Sequence, residues 1–289
     1  MTGTGQPVSI EGFPPQHLFS PFGIKDAEAL TETTQALLWK VSTADHGVAV
    51  LKFYKRGHMG SEASGFEFLR AVDGHSAAKV FAETKDAALI EYLPGPSLGD
   101  LTRCEKDQEA AARLVTVANA LQSVTPTASK TVPTVEQWLA ALFDIKYATA
   151  LSAKDRANFD RAQCIAQELL NSSQDVCFLH GDLHHDNIRE TERGFCAFDA
   201  KGVVGEMTYE LANAFRNPKG ADQLIRNPSR IRFLRDLWSS EFAASEQRLM
   251  QWACVKVALS ICWRARDVVT EDKELDLLEI FFGILDETS

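Results

Sequence analysis

The sequence predicts an α+β protein in two lobes: a small β-rich N-lobe with one main helix, then a larger, mostly α C-lobe. Three observations lead there. Two apolar runs, 36–41 and 48–54, flank Asp45-His46-Gly47 in the manner of a β-hairpin. Beyond Pro94-Gly95-Pro96 the apolar residues change to a helical period, as in Leu114, Val117, Ala118 and Leu121. Short strand-like runs then interrupt the helices near 176–180, 187–189 and 195–199, with polar residues crowded between them.

Taken in order, residues 1–24 are rich in Gly, Pro, Ser and Thr without a period, which predicts an arm draped over the body. The hairpin follows. Residues 61–72 place Phe66 and Leu69 at helical spacing, and 88–93 form a short strand stopped by Pro94-Gly95-Pro96. That segment is too short for a flexible linker and is expected to be a hinge. The boundary therefore falls between 1–93, the arm and β-rich lobe, and 94–289, the helical lobe. Helices are expected at 106–124, 135–151, 155–171, 208–216, 230–243, 246–266 and 273–285.

Charge and composition exclude some functions. The chain has 289 residues, 45% of them hydrophobic and 24% charged, and a formal net charge of −10. An acidic chain is a poor grip for nucleic-acid phosphates or an anionic membrane surface, and a cationic ligand suits it better. No run reaches the roughly 20 apolar residues of a membrane span, and the first thirty residues lack a basic start followed by an apolar core. The six cysteines are scattered without CxxC pairs, as buried small hydrophobes in a reducing compartment would be. A cytoplasmic protein is expected.

The chemistry lies in Phe178-Leu-His180-Gly-Asp182-Leu-His184-His185-Asp186-Asn187-Ile-Arg189 and in Phe195-Cys-Ala-Phe-Asp199. Asp182, Asn187 and Asp199 put three oxygen-bearing side chains at the ends of apolar strands, where they need partners. Such oxygens are hard ligands that suit Mg2+ when phosphates and water complete the shell. His184 and His185 are expected to pack the loop. The cluster of His and Asp is also compatible with a metallohydrolase, although no second His or Cys cluster supplies further ligands.

His180-Gly-Asp182-x4-Asn187 with a strand-terminal Asp199 resembles the catalytic and metal-binding motifs of aminoglycoside phosphotransferases, small-molecule kinases with a protein-kinase-like fold. The resemblance spans about 28–220 and is strongest to the streptomycin and hydroxyurea phosphotransferase subgroup. It implies a bilobal kinase that moves the γ-phosphoryl of ATP, or of GTP, to a small-molecule hydroxyl. Asp182 would be the catalytic base, Asn187 and Asp199 the magnesium ligands, and His180 a brace for the loop. Lys52 in Val48-Ala-Val-Leu-Lys52-Phe would hold the phosphates, and a helix glutamate would hold Lys52. Glu62 shares the inward face of Phe66 and Leu69 whereas Glu67 does not, so Glu62 is chosen. Glu91, Tyr92 and Leu93 fall where such kinases meet adenine. Thr33 and Thr34, in the glycine-free run 30–35, would meet the phosphates.

The resemblance leaves alternatives open. Ala200 stands where the subgroup commonly has proline, and Glu206 and Glu210 where it commonly has aspartate. Tyr209 and Glu210 are expected to be structural supports. The acceptor is expected to be streptomycin-like, with an amino sugar or choline-like alcohol as the other choice. A nucleotide-binding pseudokinase would normally have lost the base or a metal ligand, and neither is missing. Acidic residues at 271, 272, 274, 276 and 279 would either attract a polyamine-like sugar or form one solvated face.

Overall fold

The computed structural model describes residues 12–124 and 126–288, so the first part of the expected arm, 1–11, lies outside the described residues. Its remainder is a short helix, α1 (Phe19–Phe22), that leads straight into strand β1 (Ile24–Glu32). This strand corrects the expected loop at 30–35, because Thr31 and Glu32 pair with Leu38 and Leu37 of β2 (Ala36–Thr43). Only 33–35 form the turn. β1 hid from a periodicity reading because, after buried Ile24, its side chains are almost all exposed.

The hairpin of β2 and β3 (Gly47–Tyr54) forms as expected, followed by α2 (Ala63–Val72), β4 (Val80–Glu83) and β5 (Ala87–Glu91). The five strands make one antiparallel sheet in the order β1-β2-β3-β5-β4. Lys52 lies on β3 between Leu38 and Ala88, on a central strand and 9% exposed. It is therefore not an edge lysine reaching for water.

The segment 94–96 is pinned. Gly95 N–H donates to the Glu190 carbonyl at 3.1 Å, and Glu190 N–H donates back to the Pro96 carbonyl at 2.9 Å. The chain then enters α3 (Leu98–Arg103), whose N-terminus is closed by reciprocal bonds between Ser97 and Asp100. α4 (Asp107–Ser123) follows as expected, but α5 (Val135–Phe143) stops eight residues short of 151. The chain leaves the helix there because β6 (Lys146–Tyr147) pairs in parallel with β11 (Val268–Val269).

α6 (Ala153–Asn171) then leads to β7 (Val176–Leu179), β8 (Ile188–Thr191), β9 (Gly194–Ala197) and β10 (Val203–Glu206). β8 pairs with β9, while β10, not expected from the sequence, pairs with β7. The helix expected at 208–216 is instead two 3-10 turns, Met207–Leu211 and Ala214–Arg216. After α7 (Asp222–Ile225) and α8 (Pro228–Glu241), helix α9 (Glu246–Ala265) runs through the core, with α10 (Leu275–Asp286) against it. α9 is buried on nearly all sides, as a core helix must be.

Two glycines let α2 dock on the segment after β9. A Cβ on Gly65 would sit 1.8 Å from the Ala200 carbonyl oxygen, and one on Gly202 would sit 2.1 Å from the Ser64 oxygen. Both obstacles are backbone, which cannot rotate aside. Gly65→Ala is accordingly expected to destabilise the fold by about 1–3 kcal/mol, read as a lower urea midpoint. It should lower activity as well, because it pushes α2 away from Asp199.

Candidate active site

Lys52, Glu62 and Asp199 meet between the lobes. Lys52 Nζ donates to Glu62 Oε2 at 2.5 Å and to Asp199 Oδ1 at 2.9 Å. Glu62 ends a 3-10 turn that caps α2, and Tyr54 Oη donates to the same Oε2 at 3.1 Å. Glu67 points away and accepts from Ser129 N–H at 2.6 Å, so the helical phase separated the two glutamates correctly. Lys201, unassigned from the sequence, completes the cluster at 3.2 Å from Glu62 Oε1 and 3.6 Å from Asp199 Oδ2.

The electrostatics follow from two cations facing two carboxylates. Burial raises the carboxyl pKa of Asp199, but Lys52 and Lys201 outweigh it and hold the group well below the usual range. Glu62 is lowered by the same two lysines against its own burial. Lys201 is raised, since Asp199 and Glu62 outweigh its desolvation. Burial and the neighbouring Glu62 push the Tyr54 phenol up, so it stays a donor. Asp199 lies two residues beyond β9 with φ +57°, a left-handed turn that aims its carboxylate back at β3.

Asp182, Asn187 and Asn213 form the second half of the site. Asn213 Nδ2 donates to Asp182 Oδ1 at 2.8 Å. Asn187 Nδ2 donates to the Asp182 carbonyl at 2.9 Å and reaches Asp182 Oδ2 at 3.4 Å. This leaves Asn187 Oδ1 without a protein donor among the described residues, available to a cation. His184 Nε2 is 4.0 Å from Asp182 Oδ2. His185 is fully buried against Trp238, a packing role as expected.

The loop is held from behind. Glu210 accepts from His180 N–H at 2.8 Å and from Gly181 N–H at 3.0 Å, so its expected role as a support has a definite geometry. Burial pushes its carboxyl up to about 7 despite those two bonds. His180 bonds the Phe198 carbonyl through Nε2 at 3.0 Å and accepts from Asp182 N–H through Nδ1 at 3.3 Å. It thus ties the Asp182 loop to the Asp199 segment. Glu206 is buried beneath, paired with Arg248 and bonded to Trp252 Nε1 at 3.0 Å.

Burial lowers His180 to about 4, against the nearby Asp182. A base lowered in the fold contributes stability above its ordinary value near 6.5, lost as pH falls through 4. The difference corresponds to about 3 kcal/mol. The stability advantage of the wild type over His180→Gln is therefore expected to shrink by about that amount between pH 7 and pH 4. Urea unfolding of the pair at each pH checks this, and their comparison cancels the opposite contribution of Glu210.

Two cavities that share Leu38, Ile90 and Phe198 lie on the β3 side of the site, and the first includes Lys52. One, about 140 Å3, is lined by Thr33, Lys52, Glu62 and Asp199 with apolar walls from Leu38 and Phe66. The other, about 290 Å3, lies between Leu30, Val50 and Ile90 and the segment Glu91-Tyr92-Leu93. Thr33 is there as expected, although its hydroxyl accepts from Ala36 N–H in its own turn. Thr34 lines neither cavity. The Glu91 side chain turns outward to Lys79 N–H and Arg193, so only its backbone faces the cavity segment. A third cavity, about 490 Å3, opens on Asp182 and is walled by Trp138, Asn213, Arg216, Lys256 and Trp263.

Of the five acidic residues at 271–279, Glu271 is exposed with no ion pair among the described residues, and the other four are each paired with a cation. Arg264 holds Asp272, Arg216 and Arg264 hold Glu274, Arg226 holds Asp276 and Lys154 holds Glu279. Among the described residues, no group of three His, Cys, Asp or Glu side chains could hold a metal by itself. No helix among them is long and apolar enough to cross a membrane.

Residues 24–268 match the aminoglycoside/hydroxyurea antibiotic resistance kinase family. The chain is 30% identical over 247 residues to streptomycin 3''-kinase from Klebsiella pneumoniae, covering 83% of this chain and 88% of the relative. Among solved structures it resembles aminoglycoside phosphotransferase APH(4)-Ia in a ternary complex with ADP and hygromycin B. That likeness has a TM-score of 0.58 and 14% identity over 94% of this chain and 96% of the other. Choline kinase LicA from Streptococcus pneumoniae gives a TM-score of 0.62 at 12% identity, covering 94% and 97%.

Proposed function

The chain belongs to the aminoglycoside/hydroxyurea antibiotic resistance kinase family, and on that premise we propose that it transfers the γ-phosphoryl of ATP to a hydroxyl of a streptomycin-like aminoglycoside. One observation carries the reading. Lys52, Glu62 and Asp199 are joined by bonds of 2.5 and 2.9 Å, and Asp182 faces the neighbouring cavity of about 490 Å3.

Adenine would lie in the apolar slot beside Glu91, Tyr92 and Leu93, with Leu38, Ile90 and Phe198 shared between that slot and the cavity at Lys52. Thr33 borders the path of the phosphates, whereas Thr34 does not. Lys52, steadied by Glu62, would take their charge, as its bonds to two carboxylates leave it positioned and desolvated. Asn187 and Asp199 offer two hard oxygens, a number that suits Mg2+ when phosphates and water complete the shell. The bound cation would neutralise charge on the transferred group.

Asp182 would orient the acceptor hydroxyl and receive its proton as oxygen attacks the γ-phosphorus in line. The new O–P bond forms as the bond to the β-phosphate oxygen breaks, and ADP leaves with that electron pair. Asn213 keeps the Asp182 carboxylate aimed, and Glu210 fixes the backbone it stands on. The lobes divide at 93 and 94, with nucleotide held mainly by the first and acceptor by the second. A protein fed by ATP with six free cysteines fits the cytoplasm.

The test is ADP release with MgATP, and with MgGTP beside it, against aminoglycosides, hydroxyurea, amino sugars and choline, with mass spectrometry of the products. A monophosphorylated aminoglycoside is the expected result. Nucleotide binding without any transfer would favour a pseudokinase, and no nucleotide binding would overturn the proposal.

A further inference from the structure

Helix α9 presents Lys256, Ser260 and Trp263 to the acceptor cavity, residues at helical spacing on one face. Lys256 is 3% exposed and has no carboxylate partner among the described residues. Its Nζ bonds Tyr209 Oη at 3.2 Å and lies 4.8, 5.3 and 5.6 Å from the ring centres of Trp263, Tyr209 and Trp138. The aromatic pocket that would hold a ligand's ammonium is thus filled by the protein's own. The same cavity is lined by Lys201, Arg216, Lys219 and Arg264, and Asp182 is its sole carboxylate.

We propose that Lys256 is a specificity-determining residue that donates to an oxygen on the inner end of the acceptor, so that this end is a hydroxyl-rich or anionic group rather than an ammonium or guanidinium. The inference rests on the kinase reading above and adds the chemical class that the inner wall accepts. Trp138 and Trp263 flank the ammonium with flat apolar faces suited to a sugar ring, and Ser260 supplies a hydroxyl one turn away. An ammonium at that end would meet Lys256 and Arg216, with Asp182, held by Asn213 and kept for the acceptor hydroxyl, as the one carboxylate lining the cavity, since Glu274 is already paired with Arg216 and Arg264. Burial lowers Lys256 to about 8. Holding it protonated at pH 7 therefore opposes folding, a cost relieved only as pH rises from about 8 toward its ordinary 10.5.

The experiment compares wild type, Lys256→Met and Lys256→Arg. Pairs of aminoglycosides that differ by one hydroxyl against one ammonium are used, kanamycin A with kanamycin B and paromomycin with neomycin. Binding is followed by calorimetry with MgADP present, and transfer by kcat/KM. The wild type is expected to favour the hydroxyl member of at least one pair by about tenfold or more. Lys256→Met should erase that preference and Lys256→Arg keep it. Lys256→Met should also hold MgADP normally and melt at the same temperature as wild type or higher. The inference is overturned if neither member of any pair binds, or if no pair is discriminated. It is equally overturned if Lys256→Met discriminates as wild type does, or if it melts lower with discrimination intact. Transfer without discrimination would leave the proposed kinase standing, whereas discrimination in binding without transfer would leave the wall and remove the kinase.

Discussion

Asp182→Asn is expected to lower kcat by about 10²–10⁴-fold, the range for loss of a positioned proton acceptor, with MgATP affinity nearly unchanged. The substitution keeps the shape and the bond from Asn213, which reaches Oδ1 at 2.8 Å. What it removes is the negative charge that draws the acceptor proton. Asp182 lies across from the Lys52 cluster, so nucleotide should still bind. Steady-state kinetics with the cognate acceptor, beside a nucleotide titration, separates the effects. A kcat within about threefold of wild type would reduce Asp182 to a loop residue held by its neighbours.

Asp199→Asn is expected to reduce kcat/KM for MgATP by about 10²–10³-fold, as for loss of a preorganised charge at a transfer site. The magnesium concentration needed for half-maximal rate should rise with it. Lys52 and Lys201 both face this carboxylate, and they hold it ionised at any working pH. Its removal unbalances two cations where phosphates must enter and withdraws one of two oxygens suited to the metal. Magnesium titration of the initial rate is the measurement. An unchanged magnesium requirement would move the metal away from Asp199, whatever the loss of rate.

Much of the site was legible in the chain because it is built from short, local signals. The run from His180 to Asn187 places a carboxylate and an amide oxygen within one loop. The helical phase of Glu62 against Glu67 was enough to choose which glutamate meets Lys52. Glu210 was marked as a support, and its bonds to the His180 and Gly181 backbone explain how it supports. Lys256 carried a signal that was passed over, a single lysine among Ala253, Cys254, Val255, Val257, Ala258 and Leu259 in a helix too apolar to be at the surface. β1 and β10 gave no such sign, since one is exposed along most of its length and the other is four residues long.

By itself the sequence determined the class of fold and the chemistry at its centre, because strand and helix periods and a loop of eight residues are properties of neighbours along the chain. Only the tertiary structure decided what lines the cavity beside Asp182. Trp138, Asn213 with Arg216, and Lys256 with Trp263 come from three separate stretches of the sequence, and they become one wall only when α5, α9 and the turns after β10 pack together. The charge of that wall was likewise hidden. Asp272, Glu274, Asp276 and Glu279 are taken up by arginines and a lysine from elsewhere in the chain, and whether a charge is free or paired depends on distances that no linear pattern records.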